Sequence, residues 1–142
     1  MKIIIFKLND EEYGVEIDQV RSIERVSHVT RIPNMADFIK GVINLRGIVT
    51  PIIDLRTRFG IEAINDSDNT RVIIISVKDI EIGLVVDAAN EVIEIDENRI
   101  EPAPKVIGSV EAEFIRGVIK VENRLLILLH LQKVLNLQEK EL

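Results

Sequence analysis

Residues 2–23, KIIIFKLNDEEYGVEIDQVRSI, lie without a gap on residues 71–92, RVIIISVKDIEIGLVVDAANEV, and that superposition decides the fold. Gly14 falls on Gly83, Asp18 on Asp87, and apolar positions coincide along both segments. A second pair follows in the same order: residues 38–60, FIKGVINLRGIVTPIIDLRTRFG, fall on residues 114–136, FIRGVIKVENRLLILLHLQKVLN. Two registers in one order imply one structural unit present twice. The first register is offset by 69 positions and the second by 76, so the later copy carries a seven-residue excess, which falls around PAPKVIG at 102–108.

Each copy reads as a hairpin, a short turn of helix, further strands, a second hairpin and a second short helix. Residues 3–8 and 72–77 are nearly unbroken apolar, β-branched runs. Such runs suit strands covered on both faces rather than strands with one wet face. Asn9-Asp10, Lys78-Asp79, Arg46-Gly47 and Glu122-Asn123 supply the hairpin punctuation. Asp54 before LRTRF and Gly60 after it mark the two ends of a helix of little more than one turn. Leu131, Val134 and Leu135 give the closing segment, 130–137, a helical spacing. Pro51 lies inside a strand, which predicts an edge or a bulge there. Residues 61–70 lose apolar periodicity and gather Asn, Asp and Ser, as a surface connection does. The expectation is an all-β chain, 1–142, of two similar β-barrel lobes, 1–66 and 67–142, with the first strand shared between them because its apolar run needs cover on two faces.

With 142 residues and 46% hydrophobic content the chain can bury a core, and disorder is excluded. A net charge of −6, 4% aromatics and no Trp lack the basic, stacking-rich surface that nucleic acid requires. No Cys is present, which removes disulfides and thiolate chemistry. The start, MKIIIF, is too short for a signal-peptide core, and no run approaches the ~18 apolar residues of a membrane span. A soluble, cytoplasmic protein is expected.

Chemistry is sparse. His28 and His130 lack carboxylates at ligand spacing, and the five serines sit in no nucleophile elbow. Acid pairs such as Glu11-Glu12 and Asp66/Asp68 read as solvated turns. No cofactor, metal or catalytic group is expected. The duplication serves instead as an internal control: positions alike in both copies are architectural, and positions that differ are candidates for function. Gly41 and Gly117 are alike and read as backbone crowding in a small barrel, while Gly47 is explained by its turn. Arg46 is not, because its counterpart is Glu122. It is either a solvated turn charge or a contact group. Ile17, Val20 and Ile23 recur at three-residue intervals; they face the core, or they line a groove that accepts a partner's helix.

The run GVINLRGIVTPIIDLR at 41–56, with NDEEYGVEIDQVRSI at 9–23 and FIKG at 38–41, resembles the CheW-like domain family of chemotaxis coupling proteins, and the likeness extends from residue 3 to residue 137. The resemblance implies two five-stranded barrels of the Src-homology type about a pseudo-twofold axis, with a third apolar core between them. It also implies a free-standing, non-catalytic adaptor that joins the cytoplasmic hairpin tips of chemoreceptors to the regulatory domain of the histidine kinase CheA. The receptor groove of the family maps onto Ile4, Ile17, Val20 and Val86, and its turn arginine onto Arg46, followed by Gly47. Some members carry a glutamate facing that arginine where this chain has Ser22, which leaves Glu24 as a substitute partner. The kinase-facing surface is assigned to the barrel ends around the turns and the strand at 83–87. The alternatives are an overlooked enzyme, which needs clustered titratable groups in a pocket, and a regulatory ligand sensor, which needs a closed apolar cavity.

Overall fold

The computed structural model describes residues 1–25, 29–33, 38–61, 67–103, 106–107 and 110–135. His28, the lobe junction at 62–66 and the end of the last segment beyond Leu135 lie outside them. Strands β1 (Lys2–Leu8) and β2 (Glu11–Glu16) form a hairpin, and a 3-10 turn at Ile17–Gln19 leads into β3 (Val20–Arg25). The hairpin of β4 (Ile39–Leu45) and β5 (Ile48–Asp54) runs into α1 (Leu55–Arg58). The same order returns as β6 (Arg71–Val77), β7 (Ile80–Val86) and β8 (Ala88–Glu94). After a small insertion, β9 (Val106–Ile107) and β10 (Val110–Glu111), come β11 (Ile115–Val121), β12 (Arg124–Leu129) and α2 (Leu131–Val134). That insertion is where the seven-residue excess fell.

The two five-stranded sheets do not follow the two halves of the sequence. One is ordered β11-β12-β2-β1-β8 and the other β4-β5-β7-β6-β3. Each therefore takes its leading hairpin from one half and its other three strands from the other half. This corrects the expected lobes at 1–66 and 67–142. The crossing points are Ile17–Gln19, between β2 and β3, and Asp87, between β7 and β8. Both lie where Asp18 and Asp87 coincide in the repeat.

Equivalent irregularities recur in both sheets. The register slips at Arg21 between β3 and β6 and at the equivalent Asn90 between β1 and β8. It slips again at Lys40 between β4 and β5 and at the equivalent Arg116 between β11 and β12. Asp54 N–H donates to the Phe38 carbonyl at 2.8 Å, and His130 N–H to the Phe114 carbonyl at 2.9 Å, one bond repeated 76 positions on. In each sheet the chain beyond one edge strand meets the opposite edge strand, and among the described residues it does so through a single bridge, Thr30 with Val42 and Glu101 with Val118. At those bridges the glycines are obligatory: a Cβ on Gly41 would lie 2.2 Å from the Thr30 oxygen, and one on Gly117 would lie 2.8 Å from the Glu101 oxygen. The sequence expectation of crowding holds, and its cause is the bridge. Pro51 sits on an inner strand, not an edge. Pairing of β5 with β7 begins only at Ile52, so Pro51 falls outside that ladder.

Alternation along β1 divides the core. Ile3 and Ile5 pack with Ile119, Leu126 and Leu128 inside one sheet. Ile4, Phe6 and Leu8 enter the large cluster between the sheets with Ile73, Ile75 and Leu84. The matching set inside the other sheet is Ile43, Ile52, Val72, Ile74 and Val85. Three cores result, and β1 is covered on both faces as its composition requires.

One charged group lies inside this apolar frame. Arg56, 2% exposed, donates from Nε and Nη2 to Asp54 at 3.0 and 3.1 Å, and from Nη1 to Asp87 Oδ1 at 3.1 Å. The other oxygen of Asp87 accepts the Asn9 N–H at 2.7 Å. Asp54 ends a strand of one sheet and Asn9 is in the turn of a hairpin in the other. The group thus ties the sheets together at a crossing point. Asp54 also caps α1, accepting the Arg56 N–H at 3.0 Å.

Candidate partner-binding site

Arg46 and Gly47 form the tip of the β4–β5 hairpin, with φ of 54° and 83°. Gly47 N–H donates to Asn44 Oδ1 at 3.0 Å, a local bond that fixes the turn. Glu122, the counterpart of Arg46, has φ 57°, whereas Asn123 is not in the left-handed region. The turn rule read from the sequence therefore explains Gly47 but does not carry to Asn123. Both tips hold a non-glycine residue at positive φ, so the backbone conformation is architectural and only the side chain differs. The Arg46 side chain is 71% exposed and reaches Glu24 at 3.9 Å. That distance is at the outer limit of an ion pair. Ser22 Oγ itself is buried without a partner among the described residues.

The duplication lets the two sheet ends be compared position by position. In one, Arg124 binds Glu12 Oε2 at 2.6 Å and Glu91 Oε1 at 2.8 Å and closes the end with charge. Its hydrogen bonds hold both carboxyls below the usual carboxylate range. The equivalent positions in the other sheet are Ile48, Glu81 and Ser22. There no arginine bridges carboxylates: Ile48 is 57% exposed where Arg124 stands in the other sheet, Val49 is 64% exposed against 43% for its counterpart Leu125, and Ile80 begins the neighbouring strand at 39%. Apolar surface beside a projecting cation is a build suited to a partner rather than to water.

The carboxyls bound by Arg124 have a pH signature. Their folded-state pKa values are depressed, so they contribute stability above their unfolded values near 4.3, and that stability is lost as pH falls through the folded values. Replacing Arg124 by Gln is expected to flatten the pH dependence of urea unfolding between about pH 5 and 3. An unchanged slope would show the pairs contributing nothing.

The proposed groove residues separate into two kinds. Ile4 and Val86 are buried in the central cluster, at 4% and 0% exposure, and present no surface. Ile17 and Val20 are partly buried against that cluster. Ile23 is paired with Ile73, whose side chain lies in the central cluster, and is 39% exposed. The three-residue spacing is therefore a stripe along the seam, but not a helical one. A 3-10 turn followed by the bulge at Arg21 brings Ile17, Val20 and Ile23 to one face.

His130 is a helix N-cap, accepting the Lys133 N–H at 3.4 Å. No group of three or more His, Cys, Asp or Glu able to hold a metal occurs among the described residues, and no described helix is long and apolar enough to cross a membrane. Burial raises the Tyr13 hydroxyl pKa well above its ordinary value, and the ring stacks between Phe6 and Phe59 as core.

The class of protein in hand is thus an exchanged all-β duplication, with carboxylates bridged by Arg124 at one sheet end and Ile48 and Val49 exposed beside Arg46 at the other. Residues 2–139 match the CheW-like domain, and the chain belongs to that family. It is 43% identical over 140 residues to the chemotaxis protein CheW of Bacillus subtilis, covering 99% of this chain and 90% of that protein. It is 39% identical to the protein of the same name from Klebsiella aerogenes, covering 99% and 85%. The crystal structure of the scaffolding protein TtCheW from Thermoanaerobacter tengcongensis superimposes with a TM-score of 0.91 at 40% identity, over 99% of this chain and 91% of that one. Members of this family are non-catalytic, and the chain is not an enzyme.

Proposed function

We propose that the chain is a cytoplasmic chemotaxis scaffold that holds a chemoreceptor's hairpin tip and the regulatory domain of the histidine kinase CheA in fixed relative geometry. The receptor helix docks on the seam at Ile17, Val20 and Ile23, and the kinase meets the apolar sheet end displayed with Arg46 and Gly47. The observation that carries this reading is the solvent-reaching apolar stripe along the seam, in a chain that matches scaffold proteins over nearly its whole length. Ile4 and Val86 act from beneath, by fixing the shape on which the stripe rests. Receptor control of the kinase is then a coupling between two binding surfaces, with no chemistry of the scaffold's own.

The test is binding of a receptor hairpin fragment by titration calorimetry. Val20→Asp places a charge that becomes desolvated in the complex and is expected to weaken binding about tenfold or more. Val20 also touches the core, so Ile23→Glu, at a more exposed position, serves as the second variant and should melt close to the parent. Parent-like affinity in a folded Ile23→Glu variant would remove the receptor from this seam.

A further inference from the structure

The other seam between the sheets, related to the receptor stripe by the duplication, is built differently. An open cleft of about 410 Å³ lies there, lined by Lys7 and Asn9 from the first hairpin, Asn69 and Arg71 at the start of β6, and Ala88 and Ala89 at the start of β8. In the receptor seam the equivalents of Ala88 and Ala89 are Gln19 and Val20, and the equivalent of Lys7 is Ser76. Smaller side chains thus line this seam, and the cation carried at Lys78 in the other hairpin turn, the equivalent of Asn9, stands here on the strand at Lys7.

Among the described residues the two cations of this cleft make no ion pair, although Lys7 faces Glu12 across the β1–β2 ladder. Arg71 donates from Nη1 to the main-chain carbonyls of Asp68 at 2.7 Å and Thr70 at 2.8 Å, which orients the guanidinium without pairing it to a carboxylate. Directly across the β3–β6 ladder stands Arg25, a like charge at a facing position, which is unfavourable unless an anion lies near. Glu12 and Glu91, the carboxylates whose charge Lys7 feels, are both bound to Arg124. Asp87 lines the cleft as well, but one oxygen is taken by Arg56 and the other by the Asn9 N–H. In a chain of net charge −6, two cations that line one cleft, Lys7 and Arg71, and make no ion pair among the described residues are conspicuous.

We propose that this cleft is an oxyanion site, binding one phosphate or carboxylate group between Lys7 and Arg71, with Asn9 and Asn69 supplying further donors. A planar guanidinium and an ammonium on two rigid strands are suited to such a group. The cleft has no aromatic lining residue on which a nucleobase could stack.

The test uses the full chain at constant ionic strength, with amide NMR signals followed while inorganic phosphate, and separately a glutamate-rich peptide, is added. A saturable shift confined to Asn9, Asn69, Arg71, Ala88 and Ala89 is expected. Arg71→Gln or Lys7→Gln should weaken it about tenfold, while Lys2→Gln, at the counterpart of Arg71 in the receptor seam, leaves it unchanged. Saturation by phosphate identifies a free oxyanion as sufficient, and saturation by the peptide alone identifies an acidic partner segment. Shifts that never saturate, or that weaken equally in Lys2→Gln, mean an adventitious ion only and overturn the proposal. Neither receptor nor kinase enters the measurement, so its outcome is separate from that of the scaffold reading.

Discussion

Arg56→Met is expected to lower the midpoint of thermal unfolding by roughly 10–20 °C, the equivalent of about 3–5 kcal/mol for a chain of this size. The magnitude follows from what remains behind. Asp54 and Asp87 are held in a largely buried setting by one guanidinium that spends three nitrogens on them. Without it, two carboxylates stay beside an apolar core with their neutralising charge gone, and the side chain that linked the two sheets at their crossing is lost. Desolvation of unpaired charge outweighs the small gain from an apolar replacement. Urea unfolding of the variant gives the number directly. A loss below about 1 kcal/mol would mean that the carboxylates reach water freely and that the sheets are held by apolar packing alone.

The second large effect is functional. Arg46→Glu is expected to melt within a few degrees of the parent, yet to abolish kinase activation in a reconstituted mixture of receptor, kinase and scaffold. Stability is spared because an ion pair at 3.9 Å on an arginine 71% exposed contributes about 0–1 kcal/mol. Activation is not spared, because the guanidinium stands on a tight turn beside Ile48 and Val49, where its donors reach a partner at little cost in entropy. Truncating a charged hydrogen bond at such an interface costs about 1–3 kcal/mol, and reversing the charge costs more. Glu122→Arg, on the equivalent turn of the other sheet, is the matched control and should leave activation unchanged. Normal activation by Arg46→Glu would reduce the arginine to a solvated charge.

The duplication, the strand order within each half and the turn positions were legible in the sequence because each rests on local pattern. The nearly unbroken apolar runs at 3–8 and 72–77 declared two-faced burial, and both strands are buried on two faces. Which hairpin joins which sheet was not legible, because the exchange at Ile17–Gln19 and Asp87 changes no local period. Arg56 was missed for a related reason. In the segment DLRTRF it looks like any solvated helix cation, and only the convergence of β5, α1 and the β7–β8 crossing encloses it. The stripe at Ile17, Val20 and Ile23 was read from its spacing although its cause was different, a turn plus a bulge mimicking a helical interval. Ile4 and Val86, carried over by resemblance, are core residues, since a family position marks a shared environment without saying how much of it reaches solvent.

The most direct test of the bridging role is co-sedimentation with membranes bearing a chemoreceptor, in the presence of the isolated regulatory domain of CheA, with and without this chain. A scaffold joining the two brings the kinase domain down with the membranes only when the chain is present, and Ile23→Glu releases chain and kinase domain together. Membranes that retain the kinase domain equally well without the chain, or a chain that binds neither partner, would contradict the bridge.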